Sequence, residues 1–148
     1  GEELLFRGYG LQQLMRVTNV WLGIAGTSVL FGVLHLGNPG SSPVGVLNTI
    51  LFGLLFGLLL VRSRSLWPSF GVHLGWNITL VAAGTNLSGI RIKVSAVSLV
   101  PAGPVLWSGG AYGPEAGLVA SIVIVLALAA LWRWRPPSDG APRLWEQP

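Results

Sequence analysis

Six side chains in this sequence carry the means for acid–base chemistry, and their spacing repeats with the helical turn. Arg7 follows Glu3 by four residues, with the acid on the N-terminal side, the better orientation for an ion pair along a helix, and Glu2 sits beside them. His73 and Asn77 also stand four apart, as do Phe31 and His35. A carboxylate with little water around it holds a proton more readily than in bulk, so it can take one from water, above all where an imidazole shares that water. A second imidazole with a carboxamide can then donate hydrogen bonds to a developing oxyanion. This set of residues points to hydrolysis. The sequence has no cysteine, which removes thiolate nucleophiles, disulfides and cysteine-ligated zinc.

The elements that must position these groups are apolar. Only 9% of the 148 residues are charged, against roughly 25% in a soluble domain. Hydrophobic residues make up 51% and the mean hydropathy is +0.65, so a bilayer is the expected solvent. A net charge of +4 could suggest nucleic acid, but the cations fall at the ends of apolar runs and form no patch, so no nucleic-acid partner is expected.

Val17 to Val61 carries no formal charge apart from His35, and about 20 residues suffice for one crossing, so two helices fit. Turn formers in Gly37-Asn38-Pro39-Gly40-Ser41-Ser42-Pro43 end the first near Leu36 and start the second near Val44. A third runs from about Leu66 to Ala83 with Pro68 in its first turn, and a fourth from Ala116 to Trp132. Glu2 to Arg16 reads as helical, either spanning or interfacial. The chain is thus expected to be all-α, a polytopic transmembrane bundle of about four to five membrane helices. Gly84 to Gly113 is too broken by proline and glycine for a clean helix, and the alternation from Ile90 to Ser95 suggests a short strand or an extended loop at the bundle mouth. Residues 136–148 read as a disordered polar tail. With Arg16 on the cytoplasmic side, Arg62, Arg64, Arg133, Arg135 and Arg143 join it and leave Arg91 and Lys93 outside, in keeping with the positive-inside rule.

Ionisable groups in a hydrocarbon core cost at least ~2.5 kcal/mol each, so Glu2, Glu3, Arg7, His35 and His73 need a reason to be there. Rise-per-residue arithmetic puts Glu3 and His35 roughly 20 Å deep, and His73 and Asn77 about 10 and 16 Å, a difference that helix tilt can absorb. The structural alternatives are a helix-end ion pair for Glu2, Glu3 and Arg7, a snorkelling His35, and an interhelical hydrogen-bond pair for His73 and Asn77. Glu115 after Pro114 fits a first-turn acid with a structural role, and Gly53 with Gly57 fits close helix packing.

Glu2-Glu3-Leu4-Leu5-Phe6-Arg7, Phe31-Gly32-Val33-Leu34-His35 and His73-Leu74-Gly75-Trp76-Asn77 resemble the E-E-x-x-x-R, F-x-x-x-H and H-x-x-x-N motifs of the CPBP intramembrane proteases. This family, also called Abi, includes the type II CAAX prenyl endopeptidases and proteins linked to bacteriocin processing and self-immunity. All three motifs occur in order, and Gly109 to Glu115 also looks like the segment that precedes the last helix in bacterial members. The resemblance covers residue 1 to about Trp132. It implies a protease domain over residues 1–135 that lacks the family's upstream helices, in a plasma membrane of bacterial type. It also implies that Glu2 with His35 activates water, that His73 with Asn77 stabilises the tetrahedral intermediate, and that Glu3 and Arg7 hold the first motif in shape. The mechanism can be written with no metal. A zinc version would use Glu2, His35 and His73, a common ligand set with an open fourth position. The implied substrate is a membrane-associated peptide or prenylated protein; a non-catalytic adaptor or immunity protein of the same fold, and a small ion or proton conductor, are the alternatives.

Overall fold

The computed structural model describes residues 1–94 and 96–134, and among them the chain is all-helical. It opens with a π-helical segment, Leu4–Gly10, that runs directly into α1 (Leu11–Val17). Then come α2 (Val20–Leu34), α3 (Pro43–Ser63), α4 (Trp67–Ala82), the single turn α5 (Val105–Ser108), two short 3-10 segments (Gly110–Tyr112 and Pro114–Ala116), and α6 (Leu118–Arg133).

The helix starts follow from local chemistry. The side chain of Asn19 accepts from Leu22 N–H at 2.9 Å and opens α2; Ser42 Oγ accepts from Gly45 N–H at 3.1 Å and opens α3 one residue before a proline. Pro68 sits in the first turn of α4, as its fixed φ allows. Arg64, in a left-handed conformation (φ 55°), ends α3. The expected boundaries agree with these ends to within three residues.

Helix α3 is central and packs against α2, α4 and α6. One apolar cluster joins Phe52, Leu55, Phe56 and Leu58 of α3 to Ala120, Ile124 and Leu131 of α6. A second joins Leu11, Met15, Ile24 and Leu60 across α1, α2 and α3. At the end where α3 stops, the guanidinium of Arg62 donates to the carbonyls of Trp132 and Trp134 at 3.1 and 3.2 Å, satisfying orphan acceptors at the C-terminus of α6. That contact brings Arg62 and Arg133 to one end of the bundle. Hydroxyls inside the bundle bond to helix carbonyls: Ser28 to Ile24, Thr49 to Gly45, and Ser69 of α4 to Phe56 of α3 at 2.8 Å.

The structure adds detail to three expectations. Among the described residues one helix, Pro43–Ser63, is long and apolar enough to cross a membrane; α2, α4 and α6 have 15, 16 and 16 residues, which at 1.5 Å per residue reach roughly 22–24 Å. The stretch from Ile90 to Val94 forms no strand and is an extended loop, tied back by the turn pairing Leu87 with Ile90. The first helix is not α-helical throughout, since Leu4–Gly10 is wound more loosely. The polar tail expected over residues 136–148, with Arg135 and Arg143, lies outside the described residues.

Gly53 and Gly57 mark where α2 and α3 touch. A Cβ on Gly53 would lie 2.8 Å from Ser28 Cα, a backbone atom that cannot step aside, and one on Gly57 would meet Ile24 Cγ2 at 3.1 Å. Gly71 on α4 faces open space. Gly53→Ala is therefore expected to destabilise the bundle by about 1–3 kcal/mol through overpacking. Gly71→Ala is expected to stabilise α4 by up to ~1 kcal/mol through helix propensity. Thermal unfolding of the two variants in detergent checks the opposite signs.

Candidate active site

The site is built outward from a buried cation. Arg7 is fully buried on the π-helical segment, where the N–H of Leu11 reaches back five residues to the carbonyl of Phe6. Its Nη1 donates to Glu3 Oε1 at 3.1 Å and its Nη2 to the carbonyl of Gly53 on α3 at 3.2 Å. The guanidinium carbon lies 4.7 Å from the ring centre of Phe31, 5.2 Å from Phe56 and 5.6 Å from Phe6. Three aromatic rings from three elements thus enclose it, a favourable setting for a cation where water is scarce. One side chain ties the first segment, α2 and α3 together.

Glu3, itself 3% exposed, also accepts from His73 Nδ1 at 2.9 Å. An ionised carboxylate can only accept, so Nδ1 carries the proton in this arrangement, an assignment made from the hydrogen bond. The other ring nitrogen, Nε2, lies 3.6 Å from Glu2 Oε2, inside ion-pair range but too far for a direct hydrogen bond. The imidazole stacks on Phe56 with ring centres 4.8 Å apart and meets Phe31 edge-on. Both its tilt and its tautomer are therefore held. His35, at the C-terminal cap of α2, donates from Nδ1 to the carbonyl of Phe31 at 2.7 Å, which leaves Nε2 facing away from the helix backbone.

Glu2, His35, His73 and Asn77 all line one cavity of about 330 Å³. Phe31, Phe52 and Phe56 give it an apolar floor, and Leu87, Ile90 and Ile92 of the loop after α4 form another side. The imidazole beside the two glutamates is His73, whereas the hydrogen bond of His35 goes to the backbone of its own helix.

A further polar residue on the cavity wall is Glu115, which the sequence alone presents as a first-turn acid. In the structure α6 begins later, at Leu118, and the Glu115 carboxylate accepts from Trp76 Nε1 at 3.1 Å and from Ser88 at both its backbone N–H and its hydroxyl. The sequence signal that could have found this is Trp76 inside the third motif, a polar-edged ring that needs an acceptor when partly buried. Asn48 of α3 anchors the same region, donating to the carbonyls of Glu115 and Gly117 and accepting from Ser121.

The described residues contain no group of three His, Asp or Glu side chains placed to hold a metal ion.

An all-helical bundle whose cavity gathers a glutamate, two histidines and an asparagine is chemically equipped for hydrolysis. The model of the type II CAAX prenyl endopeptidase Rce1-like family matches residues 1–79, and the chain belongs to that family. The match spans all three motifs and stops two residues after Asn77. Membership brings a protease kind of function and a membrane-embedded setting. No curated protein and no solved structure matches the chain.

Arg7→Met leaves Glu3 buried without its cation, and a loss of about 3–5 kcal/mol is expected, read as a lowered unfolding midpoint in micelles. Adding Glu3→Gln to Arg7→Met is expected to recover part of that loss, because no uncompensated charge then remains buried.

Proposed function

We propose that the chain is an intramembrane endopeptidase that hydrolyses a peptide bond in a membrane-associated, CAAX-type prenylated substrate. The observation that carries this reading is the shared cavity of Glu2, His35, His73 and Asn77, drawn from three separate helical segments. In the proposed reaction Glu2 takes a proton from a water molecule held with His35, and the hydroxide adds to the scissile carbonyl carbon. The carbonyl oxygen becomes an oxyanion that accepts from the Asn77 carboxamide and from His73 Nε2–H. In this role His73 carries both ring protons, with the one on Nδ1 directed to Glu3. The tetrahedral intermediate collapses as Glu2 passes its proton to the leaving amine, so the carboxylate is regenerated. Arg7 and Glu3 act as positioning residues that hold His73.

The bundle is proposed to be polytopic, with α3 spanning in full and α2, α4 and α6 crossing where the cavity and its water shorten the apolar path. Support comes from the exposed apolar side chains of α6, among them Val119, Ile122, Val123, Val125 and Leu126, which face outward from the bundle. A bacterial-type plasma membrane is the proposed location.

The 3.6 Å approach of His73 to Glu2 favours a second version, in which His73 shares the activated water and His35 faces the oxyanion. An internally quenched farnesylated CAAX-type peptide, incubated with the protein in liposomes, tests both. Glu2→Gln is expected to lower kcat by about 10²–10⁴-fold, the range for a lost general base. Asn77→Ala is expected to lower it by about 10²–10³-fold, as for a lost oxyanion donor. An unaltered rate in Glu2→Gln would end the role given to Glu2, and an uncut peptide with the unaltered protein would end the hydrolytic reading in favour of an adaptor. Solvent-isotope effects on His35→Ala and His73→Ala distinguish the two versions, since the histidine that shares the water alters the isotope effect when removed.

A further inference from the structure

We propose that Glu115 is a positioning residue that clamps the Leu87–Ile92 loop to α4, making this loop the wall along which substrate docks beside His73 and Asn77. The inference rests on the hydrolytic reading of the cavity. Glu115 is 8% exposed, and its partners among the described residues are three neutral donors: Trp76 Nε1, Ser88 N–H at 2.5 Å and Ser88 Oγ at 2.9 Å. All three donors are neutral and come from the two sides of the cavity, so the two oxygens of the carboxylate bridge two of its walls. Oε1 holds Trp76, which lies between His73 and Asn77 on α4. Oε2 holds the turn that starts the opposite wall.

That turn would not hold its shape unaided. Leu87 and Ile90 exchange backbone hydrogen bonds at 2.8 and 2.9 Å, and both residues between them have positive φ, 48° at Ser88 and 83° at Gly89. This is the signature of a type I′ turn, whose first central position favours Asn, Asp or Gly and here holds serine. The carboxylate receives both the N–H and the hydroxyl of that strained residue. On the other flank Gly89 N–H donates to the Tyr112 carbonyl at 2.7 Å and Asn86 Nδ2 to the Ala111 carbonyl at 2.7 Å. The turn is wedged so tightly that a Cβ on Gly89 would overlap the carbonyl of Pro39, and one on Gly113 the carbonyl of Asn86. Its position is thereby fixed against the α2–α3 connection as well. Beyond it, Ile90 and Ile92 face the cavity mouth and remain 53% and 42% exposed, an apolar edge that a bound chain would cover.

Glu115→Gln keeps the shape but replaces an acceptor oxygen with a donor facing donors. With the farnesylated CAAX-type peptide as probe, KM is expected to rise about tenfold while kcat stays within about threefold, the pattern of lost substrate binding. Trypsin cleavage after Arg91 and Lys93, in micelles and without substrate, is expected to quicken about tenfold as the loop loosens. Ser88→Ala, which removes one of the three donors, is expected to shift both readouts in the same direction by less, and decides the matter if Glu115→Gln does not fold. A fall in kcat at constant KM, or an unchanged trypsin rate, would overturn the proposal. If the unaltered protein leaves the peptide uncut, the hydrolytic reading fails by itself, and the trypsin comparison still decides whether the clamp exists.

Discussion

A guanidinium without water is the constraint on which the rest of this structure depends. Arg7 is fully buried in an apolar bundle and must be compensated from every side. Glu3 supplies the charge, the Gly53 carbonyl a hydrogen bond, and Phe6, Phe31 and Phe56 the faces of their rings. Each partner is thereby placed for a second task. Glu3 uses the same oxygen, Oε1, to receive His73, while Phe56 stacks on that imidazole and Phe31 offers its carbonyl to His35. The cation organises both histidines without reaching the cavity. A lysine at this position would provide one point of charge in place of a planar fork, and could not span Glu3 and Gly53 in the same way.

Close backbone approach is the second condition. The cage around Arg7 exists because α2 and α3 nearly touch where Gly53 faces Ser28, which brings Phe31 and Phe56 within reach of one guanidinium. The same approach explains why α3 is the bundle's hub. Its glycine side faces α2, its phenylalanines face α6 and the cavity, and Asn48 fastens it to the start of α6. Small residues on one face and large ones on another let a single helix serve three neighbours.

The sequence made the helices legible because their ends are written in local chemistry. Asn19, Ser42, Pro43 and Pro68 each announce a first turn, and the Gly37–Pro43 stretch can hardly be anything but a break. The motif residues were legible for a related reason, since polar groups on apolar helices stand out. The pairing among them was not. Rise-per-residue arithmetic puts His73 about 10 Å from Glu3 in depth, whereas the two side chains touch at 2.9 Å; helix tilt, side-chain reach and the π-helical winding of Leu4–Gly10 together close that gap. Glu115 does sit in a first turn, but in that of the short 3-10 segment Pro114–Ala116, and its contacts to Trp76 and Ser88 emerge only in the tertiary structure because α6 begins later, at Leu118.

The distribution of polar atoms then explains how an apolar bundle can hold water in one place. Ser28, Thr49 and Ser69 turn their hydroxyls onto helix carbonyls and so offer nothing to solvent. Arg7 spends two of its nitrogens on Glu3 and Gly53. What faces the cavity is different in kind. His35 and His73 each have Nδ1 committed and Nε2 turned elsewhere, and Glu2 is about half exposed beside them. Committing one ring nitrogen fixes the ring and leaves the other to meet a water or a carbonyl. The buried groups satisfy most of one another's polar atoms, with Arg7 Nε and Glu3 Oε2 left without a partner, whereas the cavity groups are held at one end and keep the other free for a ligand. Aromatic side chains on one side and the Leu87–Ile92 loop on the other enclose these free ends in a largely apolar cavity, where a hydrogen bond is electrostatically stronger than in bulk water.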